Sequence, residues 1–336
     1  VPPVYFDNEP IKRVTQHKHL GVILTSNLSF DAHLHYVCLR ANGKLSVLRR
    51  VQGLQRKTLD ILYKITVRSV IDYAMTVYFG ALSEAGKNRL SRIQYQAAKV
   101  VSGALHFSSA KKLFLDLGWE TLQDRYDFLG LTLFYKIHNN MTRPLVRQCM
   151  PEPNTNNQYN LRNSLPYRQY KYHNKQFSNS YFPYFTKKFC KLKPNIRCQR
   201  DIEDFKMSLR ALIKPKRYKF FSFGSKRGCA LATQLRVGRS KLNAQSYTIG
   251  LSPTSICDCL HPSESTSHHL NVCFMYNIER QTLYDKVTQL IPNFESLSDP
   301  KKTDILLNGV NPDNPDLYHT NVNIQLDLQQ YLLKTK

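Results

Sequence analysis

The sequence predicts a mainly α-helical protein that begins with a short β-hairpin. Two β-rich runs, VYF and HLGVILT, flank the turn-forming residues DNEP before residue 26. From Ser29 onward, apolar residues recur at steps of three and four, which is the period of an amphipathic helix. After residue 150 the chain becomes polar and basic, and it then leads into a small cluster of cysteines and histidines.

Residues 1–25 are expected to form the hairpin, with VYF as one strand and HLGVILT as the other. His17 and His19 alternate along the second run, so they would share one polar face of that strand. A metal site built from these two histidines alone is the alternative that we do not favour.

Residues 26–150 are predicted to form a helical bundle of four helices. The first starts after Ser29, a suitable N-cap, and presents Leu34, Leu45 and other apolar residues on one face. The other three are predicted over residues 57–73, 85–102 and 120–139. Trp119, the only tryptophan, precedes the last of these helices and is expected to anchor the bundle.

Residues 151–228 are predicted to be a basic, irregular connector. Aliphatic residues nearly vanish in its first half, where Asn, Gln, Tyr and Lys dominate, and one short helix is expected at DIEDFKMSLRALI. Residues 229–298 would hold a helix, about 229–244, and a module around the clustered cysteines. Residues 299–336 are expected to be a C-terminal tail that ends in a helix at NIQLDLQQYLLK.

The balance of charge points to a polyanionic partner. Lys and Arg outnumber Asp and Glu by 48 to 24, which gives a net charge of +24. A domain with such a charge and clustered cations has the electrostatic footprint of a nucleic-acid-binding protein, so RNA and DNA are the expected partners. The alternative is a surface that simply carries excess charge.

No membrane partner is expected, because no apolar run approaches the length of about 18–20 residues that a membrane span requires. Five cysteines are scattered without pairing rhythm, as expected for free thiols in a reducing compartment. We therefore expect an intracellular protein in a nuclear or cytoplasmic ribonucleoprotein. The first residue is Val, which favours a chain that begins inside a longer reading frame.

The segment CDCLHPSESTSHHLNVC has the spacing of a metal site. Cys257, Cys259, His268 and Cys273 give the pattern C-x-C-x8-H-x4-C. Three thiolates and one imidazole form an established tetrahedral ligand set for Zn²⁺, and a site with four protein ligands is structural rather than catalytic. Spacing alone leaves His261 and His269 open as rival ligands. Three incidental cysteines beside surface histidines are the alternative.

Aromatic and basic residues interleave between Tyr181 and Lys241, most densely in KPKRYKFFSF. Cations neutralise phosphates, and aromatic faces stack on unpaired bases. The residues predicted to contact nucleic acid are Lys214, Lys216, Arg217, Lys219, Arg236 and Arg239, with Phe220 and Phe221 as stacking candidates. The alternative is a charged surface above buried aromatic side chains.

Catalysis by this chain alone is not predicted. A polymerase or nuclease needs carboxylates held together to bind divalent metals, and the chain has no Asp-Asp pair. The acidic residues of DIEDF (Asp201, Glu203 and Asp204) are expected to lie in the first turn of a helix, where carboxylates complement the helix dipole. The sequence also lacks a glycine-rich phosphate loop and a G-x-S-x-G elbow.

Six segments occur in an order that is similar to a known family. They are KHLGVILTSNLSFDAHLHYVCLRANGKLSVLRR, ITVRSVIDYAMTVYFGAL, NRLSRIQYQAAKVVSG, LGWETLQDRYDFLGLTLFYKIHNN, SYFPYFTKKFCKL and CDC…TSHHLNVCFMYNIER. Together they resemble the C-terminal half of reverse transcriptases from non-LTR retrotransposons of the LINE type, over nearly the whole chain from about Val4. Phe189 and Cys190 stand where that family has Trp-Asn, and Tyr78 or Phe79 stands near another of its tryptophans.

The resemblance implies a role for each region of the chain. Residues 1–25 would be the remnant of a palm-like domain, residues 26–150 the thumb-like bundle, and the cysteine module a zinc knuckle whose T-x-H-x4-C pattern selects His268 over His269. The catalytic Y/F-x-D-D motif, with its Mg²⁺, would lie upstream of this chain, in the palm and fingers of the parent RNA-directed DNA polymerase. An endonuclease domain would lie farther upstream still.

The expected function is that of a non-catalytic C-terminal fragment of such a reverse transcriptase. It would grip template–primer and target nucleic acid during target-primed reverse transcription and would hold one structural Zn²⁺. The alternatives are a protein-binding or scaffold module with a structural zinc, and an active polymerase.

Overall fold

A computed structural model describes residues 4–154, 166–213 and 218–335. This part of the chain is mainly helical and begins with short antiparallel hairpins, as the sequence predicts. The strands are β1 (Tyr5–Phe6), β2 (Glu9–Pro10), β3 (Gln16–His19) and β4 (Val22–Thr25). The helices are α1 (Asp31–Arg50), α2 (Arg56–Leu62), α3 (Ser69–Asp72), α4 (Met75–Tyr78), α5 (Glu84–Ser102), α6 (Ala110–Leu117), α7 (Leu122–His138), α8 (Pro144–Arg147), α9 (Lys175–Ser178), α10 (Tyr181–Lys191), α11 (Pro194–Arg197), α12 (Ile202–Ile213), α13 (Lys226–Arg236), α14 (Asn243–Tyr247), α15 (Asn277–Leu290), α16 (Asp299–Asn308) and α17 (Tyr318–Thr335).

Shorter helical turns connect several of these elements. The structure has π-helical turns at Tyr63–Arg68 and His268–Val272. The 3₁₀ turns lie at Phe79–Ala81, Lys219–Ser222, Phe274–Tyr276, Phe294–Ser296 and Pro315–Leu317. Among the described residues, no helix combines the length and the apolar character needed to cross a membrane.

The N-terminal strands pair differently from the prediction, which joined VYF to HLGVILT. Instead, β1 pairs with β2 and β3 pairs with β4, each across a two-residue turn. The first turn, Asp7–Asn8, has positive φ angles of 48° and 66°, and the second, Leu20–Gly21, has 43° and 82°. Positive φ at both turn residues matches the twist of a tight hairpin, so each strand pairs with its nearest neighbour. The β3 residues, including the two histidines, are exposed.

The described chain divides into two units that are each discontinuous in sequence. The first unit comprises residues 1–43, 68–93 and 121–214, and the second comprises residues 44–67, 94–120 and 215–336. The predicted bundle at residues 26–150 therefore contributes segments to both units, because its boundaries were drawn in sequence order.

Helix α7 forms the centre of the first unit. Its N-terminus carries a capping box, in which Thr121 and Asp124 satisfy each other's backbone N–H groups. Its apolar face packs against α10 and α12. Gly130 permits the close approach of α10, because a Cβ at that position would overlap the ring of Phe185.

The connector predicted to be irregular is more helical than expected. Helices α9 to α12 lie within residues 175–213, where only the last had been predicted. Phe185 and Phe189 of α10 are buried, and Phe205 of α12 stacks on Tyr135 with ring centroids 4.2 Å apart. These aromatic contacts with α7 bury the second half of the connector, beyond the polar stretch of residues 151–180.

Helix α17 is the central element of the second unit, although residues 299–336 were predicted to be a tail. It packs against α13, α15 and α16. Its residues Ile324, Leu328 and Leu332 are buried in a core shared with Leu283 and Val287. The helix expected at NIQLDLQQYLLK is present within α17, but it belongs to a core rather than to a peripheral tail. Its buried polar side chains, such as Asn321 and Gln325, weaken the apolar pattern in the sequence. Trp119 is buried in the same unit.

A buried group of charges joins three segments of the second unit. Arg56 Nη2 lies 2.7 Å from Asp116 Oδ2, and Arg236 Nε lies 2.6 Å from Asp116 Oδ1. Thr233 accepts a hydrogen bond from Arg56 and donates one to Asp116. Burial by itself raises the pKa of Asp116, but the two arginines outweigh it and lower the pKa to about 2.

We predict that Asp116→Ala lowers the free energy of unfolding by about 3–5 kcal/mol, because it leaves two buried arginines without a counter-charge. Urea denaturation followed by circular dichroism measures this change. The matched control is Glu84→Ala, which removes a carboxylate that pairs with Lys87 at the surface, 3.1 Å away. That variant should lose about 1 kcal/mol or less.

The effect of these two arginines on the Asp116 pKa predicts how the stability of the protein depends on pH. A carboxyl whose folded pKa is depressed contributes stability above its unfolded pKa and loses it as the pH falls through the folded pKa. The stability difference between the wild type and Asp116→Asn should therefore shrink by up to about 2 kcal/mol between pH 5 and pH 2. A difference that stays constant over this range would contradict the ion-pair assignment.

Candidate metal centre

The structure brings the four predicted ligands together. One ligand atom each from Cys257, Cys259, His268 and Cys273 lies within 4.8 Å of all the others, a grouping that could hold one metal ion. The Cys257 and Cys273 sulfurs are 3.8 Å apart, and Cys259 Sγ lies 3.2 Å from His268 Nε2. Metal–sulfur bonds of about 2.3 Å at tetrahedral angles would place two sulfurs about 3.8 Å apart. The spacing therefore fits one tetrahedral cation.

Local backbone structure positions both pairs of ligands, Cys257 with Cys259 and His268 with Cys273. The residues from Cys257 to His261 form a tight loop, in which the Leu260 N–H donates to the Cys257 carbonyl at 2.8 Å and the Cys257 N–H donates to the His261 carbonyl at 3.0 Å. The other pair lies at the two ends of the π-helical turn, where the Cys273 N–H donates to the His268 carbonyl at 2.8 Å. Both pairs are thus held by main-chain hydrogen bonds.

The electrostatics of the cluster favour a cation. Burial raises the pKa of Cys257 to about 12, so this thiol stays protonated unless a positive charge stabilises its thiolate. Burial, together with nearby His261, lowers the pKa of His268, which keeps the imidazole in the neutral form that binds metals. A divalent ion would supply the missing positive charge and would release protons as it binds.

The rival histidines have other roles in the structure. His269 is buried; its Nε2 lies 3.2 Å from Thr335 Oγ1, and its backbone carbonyl accepts a hydrogen bond from Tyr331 at 2.6 Å. His261 is exposed and stacks on His268, with ring centroids 4.1 Å apart. The geometry thus places His268 in the cluster, as the family pattern implied.

The cluster is tied directly to the helices of the second unit. Arg280 of α15 is buried and donates a hydrogen bond to the Cys273 carbonyl. Glu264 accepts a hydrogen bond of 2.7 Å from the Asn243 N–H at the start of α14. Leu270, inside the π-helical turn, belongs to the core that α17 completes. A metal ion held by this cluster would therefore be coupled to the folding of this unit.

The structure does not describe every residue predicted to contact nucleic acid. Lys214, Lys216 and Arg217 lie outside the described residues, and for Lys219 only the backbone is described, at the start of a 3₁₀ turn. Arg239 is half-buried just beyond α13, and its N–H donates to the Gln234 carbonyl. These five positions are not brought into a common site by any described contact.

Three of the predicted contacts are corrected by burial. Phe220 and Phe221 are buried with their ring centroids 4.7 Å apart, so neither offers an open face to a base. The Arg236 side chain is only 5% exposed, pairs with Asp116, and lies 3.9 Å above the Phe221 ring. These residues hold the second unit together, which is the alternative that the sequence left open for the aromatic side chains.

The prediction missed a cavity in the first unit, about 680 Å³ in volume, between the segment from Gln169 to Tyr172 and helix α10. Tyrosines and lysines dominate its lining. The signal in the sequence was the run YRQYKY, which follows a polar stretch, together with lysines spaced four apart in FTKKFCK. Both signals are weak until folding brings the two segments together.

No family model, no curated protein and no solved structure matches this chain. The resemblance to LINE-type reverse transcriptases therefore stays a prediction from the order and spacing of the motifs.

We predict that His268→Asn abolishes stoichiometric metal binding, because it removes the only nitrogen ligand of the cluster. Elemental analysis after dialysis against Zn²⁺ gives the metal content per chain, and Co²⁺ absorption reports tetrahedral thiolate coordination. His261→Asn is the control, because this exposed ring touches the cluster only by stacking. Equal metal loss in the two variants would overturn the ligand assignment.

Proposed function

We propose that this chain is the nucleic-acid-binding C-terminal part of a LINE-type reverse transcriptase. In this role it grips template–primer and target nucleic acid during target-primed reverse transcription. The observation that carries the proposal is the excess of positive charge. Even if each of the 24 carboxylates neutralised one cation, half of the 48 lysines and arginines would keep an uncompensated charge.

Internal ion pairs remove only a small part of that excess from the surface, because each carboxylate is buried together with one or two cations. Asp116 is buried between two arginines, and Asp72 lies 2.9 Å from Arg125. A polyanion with regularly spaced phosphates is the partner that such a surface binds best, because each contact releases condensed counterions.

The metal in this proposal is a single structural Zn²⁺. Three thiolates and one imidazole suit this borderline-soft ion, and four protein ligands leave no open position for a substrate or an activated water. The ion stabilises the module that anchors to α15 and α17, so its contribution is to folding rather than to chemistry.

Polymerisation belongs to the parent enzyme in this proposal. Mg²⁺ and the catalytic carboxylates would be supplied by the palm and fingers upstream, with the endonuclease as a further partner in a nuclear or cytoplasmic ribonucleoprotein. We expect this chain alone to extend no primer.

We predict that the chain binds single-stranded RNA and DNA at least about tenfold more weakly at 0.2 M salt than at 0.05 M, because phosphate contacts release counterions. Fluorescence anisotropy with labelled oligonucleotides measures the affinity at each salt concentration. Heparin serves as a competitor, to show that retained binding is electrostatic. Absence of binding at low salt would end the proposal.

A second candidate function, a protein-binding scaffold with a structural zinc, has one observation in its favour. Leu260, Phe274 and Ile278 are largely exposed apolar side chains close in sequence to the metal ligands. Exposed apolar patches are typical of protein interfaces. This alternative expects no salt-dependent retention of nucleic acid, so the same titration separates the two functions.

A further inference from the structure

The cavity beside α10 has the size and the lining of a ligand site. Its volume of about 680 Å³ falls within the range typical of such sites, about 300–1,000 Å³. Apart from tyrosine, its ionisable lining residues are lysines, and no carboxylate lines it among the described residues. It therefore offers a positive potential to an anion.

One wall of the cavity is fixed by internal hydrogen bonds. Asp127 of α7 accepts a hydrogen bond of 2.8 Å from the Tyr184 hydroxyl and pairs with Lys188 at 2.7 Å. Tyr170 donates a hydrogen bond of 3.0 Å to the Cys149 carbonyl, and its ring lies edge-on to that of Phe177. This wall is preorganised before any ligand arrives.

Two lysines of the cavity are not used by the fold. Lys187 and Lys191 are exposed, and within the described residues neither side chain makes a hydrogen bond or an ion pair. They stand one helical turn apart on α10, so their side chains emerge on the same face, with Cβ atoms about 5–6 Å apart. Their flexible side chains can therefore contact adjacent phosphates of one strand.

One aromatic ring in the cavity is also unused. Tyr172 is 46% exposed, and in the described part of the chain it makes no hydrogen bond and no contact with another ring. An exposed ring beside unpaired cations is the arrangement that proteins use to bind single strands, with stacking on the base and cations on the backbone. Paired bases cannot reach such a ring without leaving their stack.

The geometry points to a binding site for a single-stranded nucleic acid in this cavity, with an unpaired base stacked on Tyr172 and adjacent phosphates on Lys187 and Lys191. This inference rests on the proposed function and names its substrate class, unpaired rather than duplex nucleic acid. The sequence analysis had placed the contacts elsewhere, around residues 214–239.

The test measures the anisotropy of labelled single-stranded RNA, single-stranded DNA and a duplex of equal length on the full chain. Tyr172→Ala should weaken single-strand binding by about fivefold or more, while Tyr172→Phe, which keeps the ring, should bind like the wild type. Duplex affinity should change little in either variant. Comparing RNA with DNA shows which strand the site prefers.

The lysines are tested by salt dependence. Lys187→Gln and Lys191→Gln should each reduce the slope of log affinity against log salt by about 0.7 for single strands. Lys193→Gln is the matched control, because Lys193 is also exposed but lies outside the cavity lining. An equal reduction in the control would mean that the charge acts without a site, and the inference would fail.

The outcomes separate this inference from the proposed function. If the wild type binds with the expected salt dependence but Tyr172→Ala binds single strands as tightly, the cavity site is wrong and the proposed function stands. If Tyr172→Ala weakens single-strand and duplex binding equally, base stacking is likewise refuted. If the wild type binds no nucleic acid, both fail. Thermal melting of each variant shows that these exposed substitutions leave the fold intact.

Discussion

The scarcity of carboxylates is the constraint on which the rest of this structure depends. The chain has two cations for every acidic side chain, and several acids lie inside the fold. Asp116 is held between two arginines, and Asp127 accepts a hydrogen bond from Tyr184 and pairs with Lys188. Each of these acids fixes a contact within one unit. The two-to-one ratio of cations to acids leaves many other cations without a carboxylate partner, so the chain stays strongly basic.

In the second unit, the cysteine–histidine cluster also depends on the balance of charge. Burial raises the pKa of the Cys257 and Cys273 thiols, and a bound cation would stabilise their thiolates. Arg280 is bonded to the Cys273 carbonyl, and the turn that carries His268 also carries the core residue Leu270. Coordination, a charged hydrogen bond and apolar packing therefore meet in one short segment, and each depends on the others.

The sequence was informative wherever a property is local. Helical periodicity predicted α1, α5 and α7 to within a few residues, because each has one continuous apolar face. The helix at NIQLDLQQYLLK was predicted within α17, but its packing into a core was not, and α10 was not predicted although its apolar residues have helical spacing. Strand pairing was predicted wrongly, because turn conformation decides which neighbours meet.

The sequence by itself determined the helical class, the excess charge and the four ligand types with their spacing, since composition and short-range order need no folded context. Spacing alone left His268 and His269 as rivals, and the tertiary structure places the His268 ring against the thiols because the orientation of a turn separates adjacent rings. It also buried Phe220, Phe221 and Arg236 and left Tyr172 and Lys187 exposed. Burial is set by residues distant in the chain, so local pattern could not reveal it.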